Sequence, residues 1–589
     1  MRRGNGERAS LKYLVPLIRY LKKYVVLLLI AIICAVGGTI FTIIGPRNIS
    51  RIADIIQAGL TGELDIAGVT RIAVFLVIIY ACAWVLSYLQ GFLMTVVTQK
   101  TSYGLRNDII KKINNLPLRY FDKTLIGDIL SRVVNDVDTI GQTMTTSVGN
   151  LFQSGTQFFG VLIIMFTVSW QLTLVAIGAS VLGFTIMILI MSRSQKFFVR
   201  SQVLLGALNG HIEEIYAGHN VVNAYNAQSF EEKKFNSLND SFTEAVWKSQ
   251  FLGALMPPLM AFVGNLGYVA VCVVGAVMAL NGQITFGVIV AFMIYIRLYT
   301  SPLQQLGQVF TQLQSTAAAS KRVFEFMEEE SLPDDMDLPV RIPFGGAKGD
   351  IEFKHVNFGY DPEKTIIHDF SAKAPAGKKV AIVGPTGAGK TTMVNLLMRF
   401  YEVNSGEITI DGIPISTMRR EEVHALFGMV LQDTWLFEGT IRDNIKYSKE
   451  ATDEKIIEAA KAAGIHHFIM TMPEGYDSIL DEEASVSAGQ KQLITIARAM
   501  VEDAPFLILD EATSSVDTRT EELIQEAMDR LMANRTSFII AHRLSTIRNA
   551  DLILVMKDGD IIEQGNHDQL MAQGGFYTDL YNSQFDQLD

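Results

Sequence analysis

Residues 379–400 read KVAIVGPTGAGKTTMVNLLMRF, which is an apolar strand, a glycine-rich turn and the start of a helix. From Gly384 to Thr391 the turn matches GxxxxGK followed by Ser or Thr, in the strand–loop–helix setting that this pattern requires. Glycines let the backbone fold around an anion, and the helix N-terminus presents N–H groups to phosphate. Lys390 adds a positive charge, and Thr391 adds a hydroxyl that suits Mg²⁺. The stretch predicts an α/β domain with a nucleotide site, and a structural glycine loop is the alternative.

A second buried strand, FLILDE at residues 506–511, ends in two carboxylates. In enzymes with this phosphate loop, the first acid at such a strand end holds Mg²⁺, and a neighbouring acid polarises the attacking water. We therefore assign Asp510 to the metal and Glu511 to the general base. The structural alternative is a strand capped by solvated acids, and the nearby phosphate loop argues against it.

Composition separates the two halves of the chain. The 589 residues exceed what one hydrophobic core supports, and a hydrophobic share of 49% against a charged share of 19% indicates membrane segments. Residues 1–350 carry 28 Lys and Arg against 23 Asp and Glu, whereas residues 351–589 carry 22 against 38. The acidic second part argues against nucleic acid as a partner. Three cysteines in apolar runs are predicted to be reduced and to bind no metal: Cys34, Cys82 and Cys272.

Six stretches of the first half are apolar and long enough for a transmembrane helix, which needs about 20 residues. They lie at about residues 24–44, 72–97, 148–168, 172–191, 252–280 and 284–306. The first is too long for a cleaved signal peptide and has no obvious cleavage site. Basic residues before the first stretch and after the second place the N-terminus and the second half in the cytoplasm. The sequence predicts a multi-pass protein of the cell membrane.

The long polar loops indicate how the halves are joined. Residues 100–139 and 192–250 are helix-forming and predict extensions of the membrane helices into the cytosol. Residues 11–24 alternate apolar and basic positions, which predicts an interfacial helix or a cytosolic cap helix. Residues 327–349 are rich in Pro, Asp and Gly and show no helical or strand periodicity, which predicts a linker. The predicted domains are a transmembrane domain at 1–328, a linker at 329–349 and a nucleotide-binding domain at 350–589.

Further short motifs follow in order along the second half. They are Tyr360 after an N-terminal strand, Gln432 in VLQD, VSAGQ at 486–490, Asp517 in SSVD and His542 in AHRLST. With the phosphate loop and FLILDE, this set resembles the nucleotide-binding domain of ABC transporters. The six-helix half, with GDILSRVVNDVD at 127–138 and IYAGHNVVNAYN at 215–226, resembles the exporter type of bacterial half-transporter. The resemblance covers nearly the whole chain and implies an all-α membrane domain followed by an α/β P-loop NTPase domain.

The resemblance implies a site for ATP with Mg²⁺ and a role for each matching residue. Tyr360 would stack on the adenine, and His542, which follows an apolar strand, would hold the γ-phosphate or position water. The implied catalytic residues are Glu511, His542, Gln432 and Lys390, and the implied metal ligands are Thr391, Gln432 and Asp510. The implied nucleotide contacts are Tyr360, Gly384, Pro385, Thr386, Gly387, Ala388, Gly389, Lys390, Thr391, Thr392, Ser487, Gly489, Gln490 and Asp517.

The signature segment departs from the family pattern in two ways. VSAGQ replaces LSGGQ but keeps Ser487 and Gly489. The segment before it is one residue shorter than usual, and Glu483 stands where exporters often have Arg. The resemblance implies that ATP is held between the phosphate loop of one chain and the signature of a second half-transporter. VSAGQ beside an intact Glu511 favours a heterodimer over a homodimer by family analogy.

The implied function is ATP-driven export of a small amphipathic or hydrophobic compound by alternating access. Multidrug, lipid and peptide export stay open as cargo classes. Arg297, near the cytosolic half of the sixth segment, is either a functional residue or one that snorkels or bonds a neighbouring helix. An ATP-gated channel, a regulator of another membrane protein and an importer are the alternatives. An ABC-type ATPase of DNA repair or translation would lack the membrane half.

Overall fold

The chain divides into two compact units. The first comprises Met1–Asn114 and Ile126–Glu329, and the second comprises Asn115–Leu125 and Glu330–Asp589. A short segment of the first long loop therefore belongs with the C-terminal domain. The computed structural model describes residues 11–60, 62–343, 346–361, 364–432, 434–480, 486–510, 517–540 and 547–585.

Helices build the first unit. Leu11–Leu14 and Leu21–Tyr24 are 3₁₀-helices, and Arg132–Asp136 and Met144–Val148 are π-helical turns. The α-helices of the first 328 residues, of which α4 belongs to the second unit, are α1 Val15–Tyr20, α2 Val25–Gly59, α3 Ile66–Asn114, α4 Leu118–Lys123, α5 Ile126–Ser131, α6 Val137–Thr143, α7 Gly149–Val168, α8 Trp170–Ala217, α9 His219–Ala224, α10 Gln228–Ala254, α11 Met256–Leu280 and α12 Phe286–Glu328.

Six helical runs of the described residues are long and apolar enough to cross a bilayer. They are Lys12–Gly59, Ile66–Asn114, Ile126–Val168, Trp170–Ala217, Ala261–Leu280 and Phe286–Glu328. The six predicted membrane helices are thus confirmed, and most of them run on into polar extensions. One extension was not predicted. Helix α2 does not end near Ile44, as the sequence suggests, but continues through Pro46 to Gly59. The side-chain amide of Asn48 donates to the Ile44 carbonyl (3.1 Å), which supports the backbone beside the proline.

Helix α12 packs against α2 and α7, and a series of polar bonds joins it to the helical run that ends in α7. An apolar core lies beside these bonds and includes Ile43, Met165, Phe292 and Tyr295. The polar bonds run from Gln157 to the Leu298 carbonyl (3.0 Å), from Ser154 to Gln305 (2.7 Å), from Thr316 to Thr143 (2.6 Å) and from Arg322 to Asp136 (Nε to Oδ2, 2.9 Å).

The second unit contains a six-stranded sheet of order β12-β11-β3-β10-β9-β6 and a four-stranded antiparallel sheet of order β2-β1-β4-β5. In the larger sheet only the edge strand β12 is antiparallel. The strands are β1 Ile351–Phe358, β2 Ile367–Ala374, β3 Lys379–Val383, β4 Ser405–Ile410, β5 Ile413–Pro414, β6 Phe427–Val430, β7 Gly439–Thr440, β8 Ile479–Leu480, β9 Phe506–Asp510, β10 Thr536–Ile540, β11 Leu552–Lys557 and β12 Asp560–Gly565.

Apolar side chains cover both faces of the larger sheet. Along β3, Val380 and Ile382 join one core, whereas Ala381 and Val383 join the other, as the alternation of a strand requires. In the core that contains Ala381 and Val383, the sheet packs mainly against helices. The helices that follow α12 are α13 Lys390–Leu397, α14 Arg420–Ala425, α15 Ile441–Lys446, α16 Asp453–Ala462, α17 His466–Thr471, α18 Ala488–Glu502, α19 Thr518–Met532, α20 His567–Gln573 and α21 Phe576–Phe585.

The register of the parallel strands determines where the site lies. Ile382 of β3 pairs with Ile540 of β10, which pairs with Asp510 of β9. The carboxyl ends of these strands therefore lie side by side at one edge of the sheet. The last residues of the three strands are brought together there, at the edge where open α/β sheets usually bind ligands.

Candidate nucleotide-binding site

The phosphate loop after β3 is a cradle that requires glycine. Gly384, Gly387 and Gly389 have φ values of +156°, +87° and +98°, which favour glycine. A Cβ atom at Gly384 would lie 2.2 Å from the carbonyl oxygen of Met556, and one at Gly389 would lie 2.7 Å from a methyl group of Ile367. The loop is therefore pressed against the fold on one side. A Cβ at Gly387 would meet no atom within 4 Å, so the loop is open at that position.

The other loop residues form a tight turn that leads into α13. The Ala388 N–H donates to the Pro385 carbonyl (3.2 Å), with Thr386 inside the turn. Lys390 begins α13, and its Nζ donates to the carbonyls of Gly384 (2.7 Å) and Pro385 (3.1 Å). Its ammonium thus lies within the loop.

Lys390 is only 9% exposed. Burial lowers the pKa of its ammonium, and the charge of Asp510 acts in the opposite direction. Asp510 ends β9 at the edge of the sheet where the phosphate loop leaves β3, so both charges lie at this edge. An anion bound in the loop would offset the cost of burying the ammonium.

Oxygen-bearing side chains surround this edge of the sheet. Asp510 ends β9, Gln432 follows β6 and is exposed, and Thr391 is exposed in the first turn of α13. Strands β6 and β9 are paired through Val430 and Leu509, so Gln432 and Asp510 follow neighbouring strands. Carboxylate, amide and hydroxyl oxygens fit the hard-ligand preference of Mg²⁺. The proposed general base Glu511 and His542 lie outside the described residues.

Tyr360 lies beside the helix that follows the phosphate loop. Its hydroxyl donates to Thr392 Oγ1 (3.4 Å) and accepts from Asn395 Nδ2 (3.3 Å), and both partners belong to α13. Thr392 itself is buried, so its side chain supports Tyr360 from inside the domain. The structure thus brings the predicted adenine-stacking aromatic close to the predicted phosphate site.

Tyr401 connects Tyr360 to the short helix α4. The rings of Tyr360 and Tyr401 meet edge to face, with centroids 5.0 Å apart and planes at 85°. The Tyr401 hydroxyl donates to the carboxylate of Asp122 in α4. Burial and this carboxylate raise the pKa of Tyr401. The carboxylate of Asp361, the residue after Tyr360, lies 3.8 Å from Arg119 and 3.6 Å from Lys123, and both of these residues belong to α4. Helix α4 is therefore joined to this region by a hydrogen bond to Tyr401 and by two ion pairs to Asp361.

Sequence reasoning missed Tyr401 and Asp122. The two residues are separated by 279 positions, and neither belongs to a short motif. The available signal was an aromatic directly after the helix of the phosphate loop, in the stretch RFYEV at 399–403.

We predict that Tyr401→Phe loosens α4 without unfolding the domain. The substitution keeps the ring contact but removes one hydrogen bond to a carboxylate, which is worth about 1.5–3 kcal/mol. We expect amide hydrogen exchange of residues 118–123 to become about tenfold faster, since each 1.4 kcal/mol is a factor of ten. Tyr577→Phe is the control, because its hydroxyl contacts His567 and not α4. Unchanged exchange in α4 would show that the ring contact alone holds the helix.

The signature segment caps helix α18. Ser487 Oγ accepts from the Gln490 N–H (3.2 Å), and Gln490 Oε1 accepts from the Ser487 N–H (2.9 Å), which forms a capping box. Ser487 is exposed and Gly489 is buried. No hydrogen bond between described residues joins this segment to the phosphate loop of the same chain.

Asp517 has a comparable capping role. It precedes α19, and its side chain accepts from the Thr520 N–H (3.1 Å). Hydrogen bonds from Thr520 lower the pKa of the exposed Asp517 carboxyl. Asp517 is therefore an ionised helix cap whose carboxylate faces solvent in the single chain.

Comparison with known proteins agrees with this geometry. The ABC transporter transmembrane region family matches residues 28–303, and the ABC transporter family matches residues 367–514. A Mycobacterium tuberculosis protein named fatty acid ABC transporter ATP-binding/permease protein is 46% identical over 521 residues, which is 88% of this chain and 82% of that protein. The ATP-dependent lipid A-core flippase of Syntrophus aciditrophicus is 36% identical over 514 residues, 87% of this chain and 85% of that protein.

A solved structure extends the similarity to three dimensions. The structure of a bacterial Atm1-family ABC exporter with ATP bound is similar with a TM-score of 0.74 and 28% sequence identity, and the match covers 96% of this chain and 98% of that one. Such half-transporters act in pairs, each fusing a membrane region to an ATPase domain. The chain belongs to the ABC transporter family, as a multi-pass, exporter-type half-transporter that binds nucleotide and couples ATP hydrolysis to transport.

Proposed function

We propose that this chain is one subunit of a dimer that exports an amphipathic, acyl-chain compound across the cytoplasmic membrane by alternating access. The observation that carries the proposal is a phosphate cradle built on Gly384 and Lys390, fused to six membrane-spanning helices. Only tighter binding of ATP to one arrangement of the dimer can shift the membrane helices between their two states.

Within the site, each residue has a role that its position supports. Lys390 and the loop N–H groups hold the phosphates, Tyr360 stacks on the adenine, and Thr392 supports Tyr360. Mg²⁺, held by Thr391, Gln432 and Asp510, would offset phosphate charge. Glu511 takes the proton of the attacking water, and His542 and Gln432 orient that water and the γ-phosphate.

The second half of the site comes from a partner chain. Ser487 is exposed at the N-terminus of α18, where the helix dipole favours an anion, and its hydrogen bonds among the described residues are with Gln490 of its own helix. We assign Ser487, Gly489 and Gln490, with Asp517, to the partner's ATP. The intact Glu511 permits a homodimer, and family analogy with VSAGQ favours a heterodimer.

The orientation follows from the distribution of charge. Basic residues around α1 and in the loop after the second span place the N-terminus and the ATPase domain in the cytoplasm. The difference in charge between the two halves also supports a transmembrane domain at 1–328, a linker at 329–349 and a nucleotide-binding domain at 350–589. The cargo class rests on two relatives whose names refer to a fatty acid and to lipid A-core, both of which carry acyl chains.

Transport by the reconstituted full chain tests this proposal. The chain, with any partner that copurifies, is placed in proteoliposomes with the ATPase domain outward, and uptake of radiolabelled oleate is followed with and without ATP. We expect ATP-dependent accumulation that vanadate abolishes and that a soluble dye does not compete. Dye uptake without oleate uptake would favour multidrug export, and a current without accumulation would favour a channel.

A further inference from the structure

An exposed polar stripe runs along helix α12. Arg297, Ser301, Gln305 and Gln308 are all exposed, and their spacings of four, four and three residues place them on one face of the helix. The opposite face carries Tyr295 and other buried residues. Three of the four stripe residues lie within the predicted sixth span, 284–306.

The other membrane helices present apolar exposed faces. Examples are Val77 of α3 (69% exposed), Val181 of α8 (58%) and Val273 of α11 (59%). Such faces suit contact with acyl chains of the bilayer, whereas a row of Arg, Ser and Gln does not. The stripe on α12 therefore faces a water-accessible space or a partner chain, and not lipid. Neighbouring α7 adds the exposed side chains of Asn150 and Gln153 at its cytosolic half.

Arg297 lies deep in the span. It is eleven residues beyond Phe286, the start of α12, which corresponds to about 17 Å along the helix. The hydrocarbon core is about 30 Å thick, so the side chain is near its middle. Among the described residues, the guanidinium of Arg297 has neither a hydrogen-bond partner nor an ion-pair partner. An intramembrane arginine without a partner in its own chain requires an anion or water from elsewhere.

We propose that the stripe on α12 lines the transport path and that Arg297 binds the carboxylate of a fatty acid within it. This inference rests on the proposed export function. The planar guanidinium fork matches a carboxylate in a bidentate geometry, while Ser301 and Gln305 provide hydroxyl and amide groups for water around the headgroup. The acyl chain then extends along the apolar surfaces of the helices.

Photo-crosslinking tests the site separately from transport. The nucleotide-free transporter in nanodiscs is irradiated with a diazirine analogue of oleate or of oleyl alcohol, and labelled peptides are identified by mass spectrometry. We expect the oleate analogue to label α12 and the alcohol to label it at least about tenfold less, the factor that 1.4 kcal/mol gives. We expect Arg297→Gln to lower oleate labelling to the level of the alcohol, and Arg297→Lys to restore part of it.

Two further variants make the test specific. Arg297→Glu is expected to reverse the preference, so that an oleylamine analogue labels α12 more strongly than oleate. Arg71→Gln is the matched control, because Arg71 is exposed on α3 near the outer end of its span and its guanidinium donates to the Ala67 carbonyl of the same helix. We expect that control to keep wild-type labelling and basal ATPase activity.

The outcomes separate the site from the function. Labelling that depends on Arg297 without ATP-driven oleate uptake would overturn the proposed export and not the site. Oleate uptake that is unchanged in Arg297→Gln and Arg297→Glu would overturn the site and not the export. A loss of dimer in Arg297→Gln, measured by mass photometry, would instead make the stripe a subunit interface and overturn the proposal.

Discussion

Replacing Glu511 with glutamine is expected to lower ATP turnover at this subunit's site by at least about 100-fold, the usual contribution of a general base. Glutamine has nearly the same shape as glutamate but cannot accept the proton of the attacking water. ATP binding should persist, because the proposed phosphate contacts are those of Lys390 and the loop around Gly384. The measurement is single-turnover hydrolysis of radiolabelled ATP by the purified complex, with ATP affinity measured in parallel.

The control for this experiment is Glu438→Gln, which neutralises an exposed acid of the same domain that directly precedes β7 and does not directly follow a strand of the six-stranded sheet. If the partner is a different chain, its own site must be inactivated first so that only one site is counted. Hydrolysis that continues at the original rate would show that Glu511 is not the base. A parallel loss of ATP binding would instead assign Glu511 a structural role.

Replacing Gly384 with alanine is expected to abolish the phosphate site. The added methyl group would meet the Met556 carbonyl oxygen at 2.2 Å, and Met556 belongs to β11, which is paired with β3 along four residues. Neither strand can move without breaking this pairing. Overpacking and the strained φ together cost about 2–5 kcal/mol. We expect ATP affinity to fall by at least about 30-fold, the equivalent of 2 kcal/mol.

Fluorescent ATP binding to the full transporter is the measurement. Gly412→Ala is the control, because Gly412 also has a positive φ, +79° against +156° at Gly384, but a Cβ there would meet no atom within 4 Å. This control carries the strain of a positive φ without the collision and lies outside the loop. Equal losses of affinity in the two variants would show that strain, and not the contact with β11, makes glycine necessary.

Local patterns predicted the parts of this protein that depend on local physics. The phosphate loop is readable because one strand, two glycines and one lysine must occur at fixed spacing. The six spans are readable because hydropathy acts over about 20 consecutive residues. By contrast, the bond between Tyr401 and Asp122 joins residues that meet only after folding. No periodicity or spacing around either residue indicates its partner.

Which face of a membrane helix is exposed and which is buried could not be predicted from the sequence either. The charge of Arg297 indicates a functional position, but nothing in the sequence distinguishes Ser301 or Gln308, because small and polar residues also occur in buried helix contacts. Gln305 combines a helix contact with exposure, since its side chain accepts a hydrogen bond from Ser154 and is also exposed. The extension of α2 beyond Ile44 was missed because Pro46 usually ends a helix.

The capping box at Ser487 has a consequence for the timing of ATP binding. In that box the serine oxygen only accepts, so its hydroxyl proton stays available for donation to a phosphate oxygen. Its rotamer is already ordered by Gln490 before a partner chain arrives. In the proposed dimer, the rotational entropy that a free serine would lose on meeting the nucleotide is already lost during folding, and closure would begin from a preorganised donor.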